Sequence, residues 1–197
     1  MTQYRNLTVD LPARIRELDL RFRRIADDIG LEVSYLLMKL GAAFLLPYER
    51  TVGTSGTSKS TQTSRQQLRK DLQLDRKFHE SVYCQSLESW FQFDVTDFSQ
   101  DPRTWDGKGT RLTMTAAEVL CALRNAVAHS NLQFDGIKEI ERVYFGSLLD
   151  RRHPEKGYRV IRCEIKNLEK LLDAWLDLLA KIKGNPPVIW RELEQAA

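Results

Sequence analysis

The sequence predicts a mainly α protein, a helical bundle of about five helices with one β-hairpin between the fourth helix and a last long helix. Three observations lead there. Apolar residues recur at three- and four-residue steps through most of the chain, the spacing that gathers side chains on one face of a helix. The composition, 42% hydrophobic and 29% charged, is that of a globular chain and not of a disordered one. Only Arg142 to Ile165 changes period, with β-branched and aromatic residues on both sides of a turn. A chain of 197 residues buries about 70% of its unfolded surface on folding, so a single domain over 1–197 with one core is expected.

Charge and cysteine content narrow the classes. A net charge of +3 and an isoelectric point near 8.8 permit a polyanionic partner without requiring one, since dedicated nucleic-acid binders carry a denser basic footprint. Cys84, Cys121 and Cys163 are an odd number with no CxxC pair. That pattern points to a reducing, cytoplasmic setting and away from a zinc site, with free and mostly buried thiols. The arginines and carboxylates of the first thirty residues leave no apolar centre for a secretory signal. Leu31 to Leu46 is the most apolar run, but it contains Glu32 and Lys39 and falls short of the roughly 20 residues of a membrane span.

The first helix is expected over Leu11 to Ile29, where Leu11, Ile15, Leu18, Phe22, Ile25 and Ile29 form one stripe and Asp10 and Pro12 suit its start. Its arginines read as a solvated flank, their stems covering the core edge. A second helix, Leu31 to Leu46, is apolar nearly all round and belongs in the middle of the bundle, with Pro47 ending it. Thr51 to Ser64 is almost all Ser, Thr and Gly, and reads as a mobile loop that buries too little apolar surface to offset ordering. Arg65 to about Phe93 suggests a third helical segment, broken near Asp71 to Asp75. Asp94 to Thr110, with Asp101-Pro102 and Asp106-Gly107, reads as an irregular connection in which Trp105 covers the core.

Thr115-Ala116-Ala117-Glu118 is a capping box, so the fourth helix starts near Thr115 and runs to about His129, where Ser130 and Asn131 close it. The hairpin, Arg142–Leu149 and Tyr158–Ile165 around HPEKG, should pack against the side of the bundle, because an isolated hairpin is marginal in water. Asn167 is expected to cap the final helix, whose stripe runs from Leu168 to Ile182. Gly184 and Pro186-Pro187 stop it, and Ile189, Trp190 and Leu193 would let the tail fold back.

The chemistry concentrates in Arg124 to His129, RNAVAH. On a helix, Ala116, Leu120, Leu123 and Val127 share the core side. Ala117, Cys121, Arg124, Asn125 and Ala128 share a second side whose apolar members are all small, a surface that another helix could approach closely. Asn125 and His129 stand four apart, so the amide could orient the imidazole. Arg124 and His129 are about 140° and about 7.5 Å apart, flanking a site. A histidine in a last turn is favoured in its charged form by the helix dipole, which suits handling of protons or phosphate.

At these residues the chain resembles the HEPN superfamily, whose mark is an Arg, usually a polar residue next, then a His after four to six intervening positions near a core helix end. Arg124, Asn125 and His129 match it with four intervening residues. The resemblance implies a helical-bundle domain with a hairpin and long helix after the motif. It also implies a metal-independent endoribonuclease of a defence or toxin system, with RNA as substrate. No cofactor is implied, and the site is composed across a homodimer from Arg124, Asn125 and His129. A separate antitoxin protein is a further implied partner. The alternative it carries is a catalytically inactive HEPN dimer that binds RNA or protein. His79 and His153 read as surface residues, neither an HExxH helix nor a Gly-rich phosphate loop is present, and Asp27-Asp28 and Glu139-Glu141 read as solvated ends.

Overall fold

The computed structural model describes residues 7–52, 66–86, 89–105, 107–136 and 139–182. Its helices are α1 (Leu7–Asp28), α2 (Glu32–Val52), a short stretch at 66–71 (α3), α4 (Ala116–Ala128) and α5 (Ile165–Ile182). Its strands are β1 (Trp90–Val95), β2 (Thr110–Arg111), β3 (Leu132–Asp135), β4 (Arg142–Leu148) and β5 (Tyr158–Glu164). All five join one antiparallel sheet in the order β2-β1-β5-β4-β3. The fold is mixed α/β, and the expectation of a mainly α bundle carrying a lone hairpin is wrong.

The hairpin itself forms as expected, with Arg142 opposite Glu164 and Leu148 opposite Tyr158. It is the centre of the sheet and not an appendage, because each of its strands gains a second partner. β1 lies along β5 from Trp90↔Cys163 to Val95↔Tyr158, and β3 lies along β4 from Leu132↔Phe145 to Asp135↔Arg142. A bare hairpin would leave both outer rows of N–H and C=O groups unpaired, and the extra strands satisfy them. The third helix expected over 65–93 is replaced by α3, a 3-10 turn at Phe78–Glu80, and β1. WFQFDV at 90–95 alternates as a strand does, yet a short apolar run of this kind fits either period.

The chain divides into two compact units, one formed by Met1–Asp75 and Leu172–Ala197, the other by Arg76–Leu171. In the first, Leu11, Ile15 and Ala26 of α1 are buried, as are Val33, Leu36, Leu40 and Ala43 of α2. The Trp175 indole N–H donates to the Ala43 carbonyl at 2.8 Å, and Arg16 pairs with Asp177. The predicted α1 stripe holds for Leu11 and Ile15 only. Leu18, Phe22, Ile25 and Ile29 are each about half exposed, because the buried face passes through Asp19, which pairs with Lys39 at 2.6 Å. Nor is α2 enclosed all round, since Met38 is 73% exposed. It also continues past Pro47 to Val52, a proline being compatible with helical φ at the loss of one donor. Residues 53–65 and the tail from 183, where the mobile loop and the stop signals were expected, lie outside the described residues.

The second unit is layered. On one face of its sheet Val143, Phe145, Ile161 and Cys163 are fully buried where α4 packs on β4 and β5. Each large apolar side chain buried there stabilises the unit by about 1.5–3 kcal/mol. On the opposite face Tyr144 and Val160 meet Phe98 and Trp105, with Phe98 and Trp105 stacked at 5.7 Å and Tyr144 edge-on to Trp105. Trp105 covers the core as its sequence position suggested. Gly146 makes room for this layer, since a Cβ there would stand 2.8 Å from the Phe98 ring. Cys163 is buried while Cys84 and Cys121 are half-buried, so the expectation of mostly buried thiols holds for one of three. No helix among the described residues is long and apolar enough to cross a membrane.

Gly157 opens β5 at φ +89°, ψ −154°, and a Cβ there would lie 2.2 Å from the Val95 carbonyl oxygen of β1. Both the backbone conformation and the contact exclude a side chain. Gly157→Ala is expected to destabilise the protein by about 2 kcal/mol, read as a lower midpoint in urea at unchanged slope; a midpoint equal to the parent's would contradict this reading of the turn.

Candidate functional site

The site is built by fixing both ends of α4. At its start the Thr115 hydroxyl accepts from the Glu118 N–H at 3.3 Å, and the Glu118 carboxylate accepts from the Thr115 N–H at 2.7 Å. This is the capping box read from the sequence. The Thr115 backbone N–H, and then its hydroxyl, hold the Glu118 carboxyl below its usual range. Between the ends, Ala116, Val119, Leu120, Ala122, Leu123 and Ala126 are buried.

His129 is the C-cap residue, with φ −103° and ψ 6°. Ser130 follows in the left-handed region at φ +56°. The Asn131 N–H donates to the Ala126 carbonyl at 2.8 Å and the Ser130 N–H to the Val127 carbonyl at 3.2 Å. These are the two bonds of a Schellman closure. Ser and Asn do end the helix as expected, but the left-handed residue is Ser130 and not Asn131. Asn131 has another task, its carbonyl accepting from the Gly146 N–H of β4 at 3.0 Å. At α5 the expected cap also shifts: the helix begins at Ile165, and Asn167, inside its first turn, donates from its amide to Glu164 at 3.2 Å.

The predicted triad comes together in part. The half-buried Arg124 donates from Nη1 to Asn125 Oδ1 at 2.6 Å, and Asn125 Nδ2 donates to Cys121 Sγ at 3.6 Å. The second donor reaching Asn125 Oδ1, at 3.3 Å, is Nη2 of Arg151, from the turn after β4. Asn125 is therefore the shared acceptor of two guanidiniums, and the expectation that it orients His129 is corrected. Among the described residues the exposed His129 imidazole makes no hydrogen bond. His79 and His153 are exposed and stand beside Glu80 and Glu155, at 3.5 and 3.0 Å.

Asn125, His129, Asn131, Ser147, Leu148 and Arg151 line one pocket of about 400 Å³. That volume lies within the range of small-ligand sites. Two cations sharing one neutral oxygen repel each other, by about 1 kcal/mol for charges 4 Å apart in water and more at lower dielectric. An anion entering this pocket meets the Arg151 guanidinium beside the His129 imidazole, with Arg124 behind Asn125. Arg151 was missed from the sequence. It lies far from the motif along the chain, and a basic residue in a turn carries no signal until the register of β4 against β3 and α4 is known.

The Arg-Asn pair and C-cap histidine at the end of a core helix, followed by β3 and the hairpin, mark a protein of the HEPN superfamily. A family model described as HEPN pEK499 p136 matches residues 1–185, and the chain belongs to that family. No curated protein and no solved structure matches it.

A left-handed Ser costs about 1 kcal/mol more than a left-handed Gly. Ser130→Gly should therefore raise stability by about 0.5–1 kcal/mol while leaving the pocket unchanged. Thermal melting measures this, and a lower melting temperature would contradict the closure described.

Proposed function

We propose that this protein is a metal-independent endoribonuclease of a defence or toxin system, cutting RNA at a site composed from two copies of the α4 end. The reading rests most on one feature: a single imidazole, free of hydrogen bonds among the described residues, lines a pocket that also holds Arg151, with Arg124 behind Asn125. Family membership gives it the general HEPN context.

Cleavage of RNA through its own 2′-hydroxyl needs a base, an acid and a cation for the phosphoryl group. His129 of one copy removes the 2′-proton, and the freed oxygen attacks phosphorus. The bond from phosphorus to the 5′-oxygen breaks, and His129 of the other copy returns a proton to that leaving oxygen. The products are a 2′,3′-cyclic phosphate and a 5′-hydroxyl. The pocket of one protomer has one histidine, whereas an isologous pair supplies two. A second reading, a catalytically inactive HEPN dimer serving as an RNA-binding or protein-interaction module, is favoured by the half-exposed Leu18, Phe22, Ile25 and Ile29 of α1, a face suited to a protein partner such as an antitoxin.

The parent protein is expected to cleave single-stranded RNA in excess chelator, and Arg124→Ala or His129→Ala to lose about 10²-fold or more of that rate at unchanged oligomeric state. Variants that cut like the parent would refute the assignment. A parent that binds RNA and leaves it intact would favour the second reading.

A further inference from the structure

The turn joining β4 to β5 is held by its own side chains. The Asp150 carboxylate accepts from the Arg152 N–H at 2.9 Å and pairs with Lys156 at 2.9 Å, while the Asp150 carbonyl accepts from the His153 N–H at 3.1 Å. The Lys156 ammonium, followed by these backbone contacts, holds the Asp150 carboxyl below its usual range. The nearest carboxylate in sequence is thus committed to the turn. Arg151, one residue on, pairs with no carboxylate among the described residues. Its described hydrogen bond is the one to Asn125 Oδ1, which aims the guanidinium at the pocket shared with His129.

We infer that Arg151 is the residue that grips the substrate phosphate in this pocket, with Asn125 as its positioning residue. This rests on the RNA-cleaving reading above and adds the hairpin turn to a site otherwise drawn from α4 alone. The planar guanidinium carries five donors, and one is enough for Asn125, so the rest of the fork is available to a phosphodiester. Asn125 suits the positioning task better than a carboxylate would, because it fixes the guanidinium without neutralising it. The tether also lowers the entropy lost when the long side chain takes hold of its ligand. Arg124, half-buried and bonded to the same oxygen, braces Asn125 from the α4 side.

The test uses the full chain and a labelled single-stranded RNA oligomer in chelator, following binding against salt and cleavage against RNA concentration. Each phosphate contact on a single strand contributes about 0.7 to the slope of log affinity against log salt. Arg151→Gln is expected to lower that slope by about 0.7 and to raise KM roughly tenfold with a smaller effect on kcat. Arg151→Lys should keep the slope, a point charge replacing the fork, while recovering only part of the affinity. Arg151 is exposed, so both variants should melt with the parent. A parent-like slope and KM in Arg151→Gln, with both lost in Arg124→Gln, would overturn the assignment and move the contact to α4. A parent that neither binds nor cuts RNA would remove the reading beneath it, and this inference with it.

Discussion

Ser130, held left-handed while the Asn131 N–H closes onto Ala126, turns the chain from α4 into β3 within two residues. His129 is consequently the cap residue that directly follows the helix. The Asn131 carbonyl takes the Gly146 N–H, so the helix end is tied directly to β4. The Schellman closure, the pairing of β3 with β4 and the packing of α4 on the sheet are one constraint seen from three sides. Loosening the turn would separate the imidazole from the strand that brings Ser147, Leu148 and then Arg151 to the same pocket.

The electrostatic plan of the site depends on a neutral group. Asn125 Oδ1 receives a guanidinium from its own helix and another from the hairpin turn. A carboxylate in that position would bind both arginines more tightly and would also neutralise part of their charge. The amide keeps them close and leaves their charge available. The acid next to Arg151 in sequence, Asp150, is occupied with the turn.

The sequence revealed the ends of elements better than their partners. Thr115 and Glu118 declared the start of α4, and the strands over 142–164 were visible because β-branched and aromatic residues dominate them. β3 was hidden, since four residues are too few to establish alternation. β1 was hidden because Trp90, Phe91 and Phe93 satisfy a helical spacing about as well as a strand's. Once both are paired to the hairpin, the fold changes class from a bundle to a mixed α/β unit. Arg124, Asn125 and His129 were visible as a local pattern, and Arg151 was not, because strand register rather than spacing along the chain brings it to them. In α1 the periodicity found the helix and the buried Leu11 and Ile15 but not the course of the buried face beyond them, since a spacing rule does not anticipate the Asp19–Lys39 pair.

The central claim is that catalysis needs His129 from two copies, and subunit mixing tests it most directly. Parent chains would be co-refolded with increasing shares of His129→Ala chains, and RNA cleavage measured in chelator at constant total protein. If each site requires both histidines, activity follows the square of the parent fraction, so an equal mixture retains about a quarter of the parent rate. A linear decline, with about half the rate at equal mixing, would mean that each chain cuts with its own histidine and that no composite site is needed.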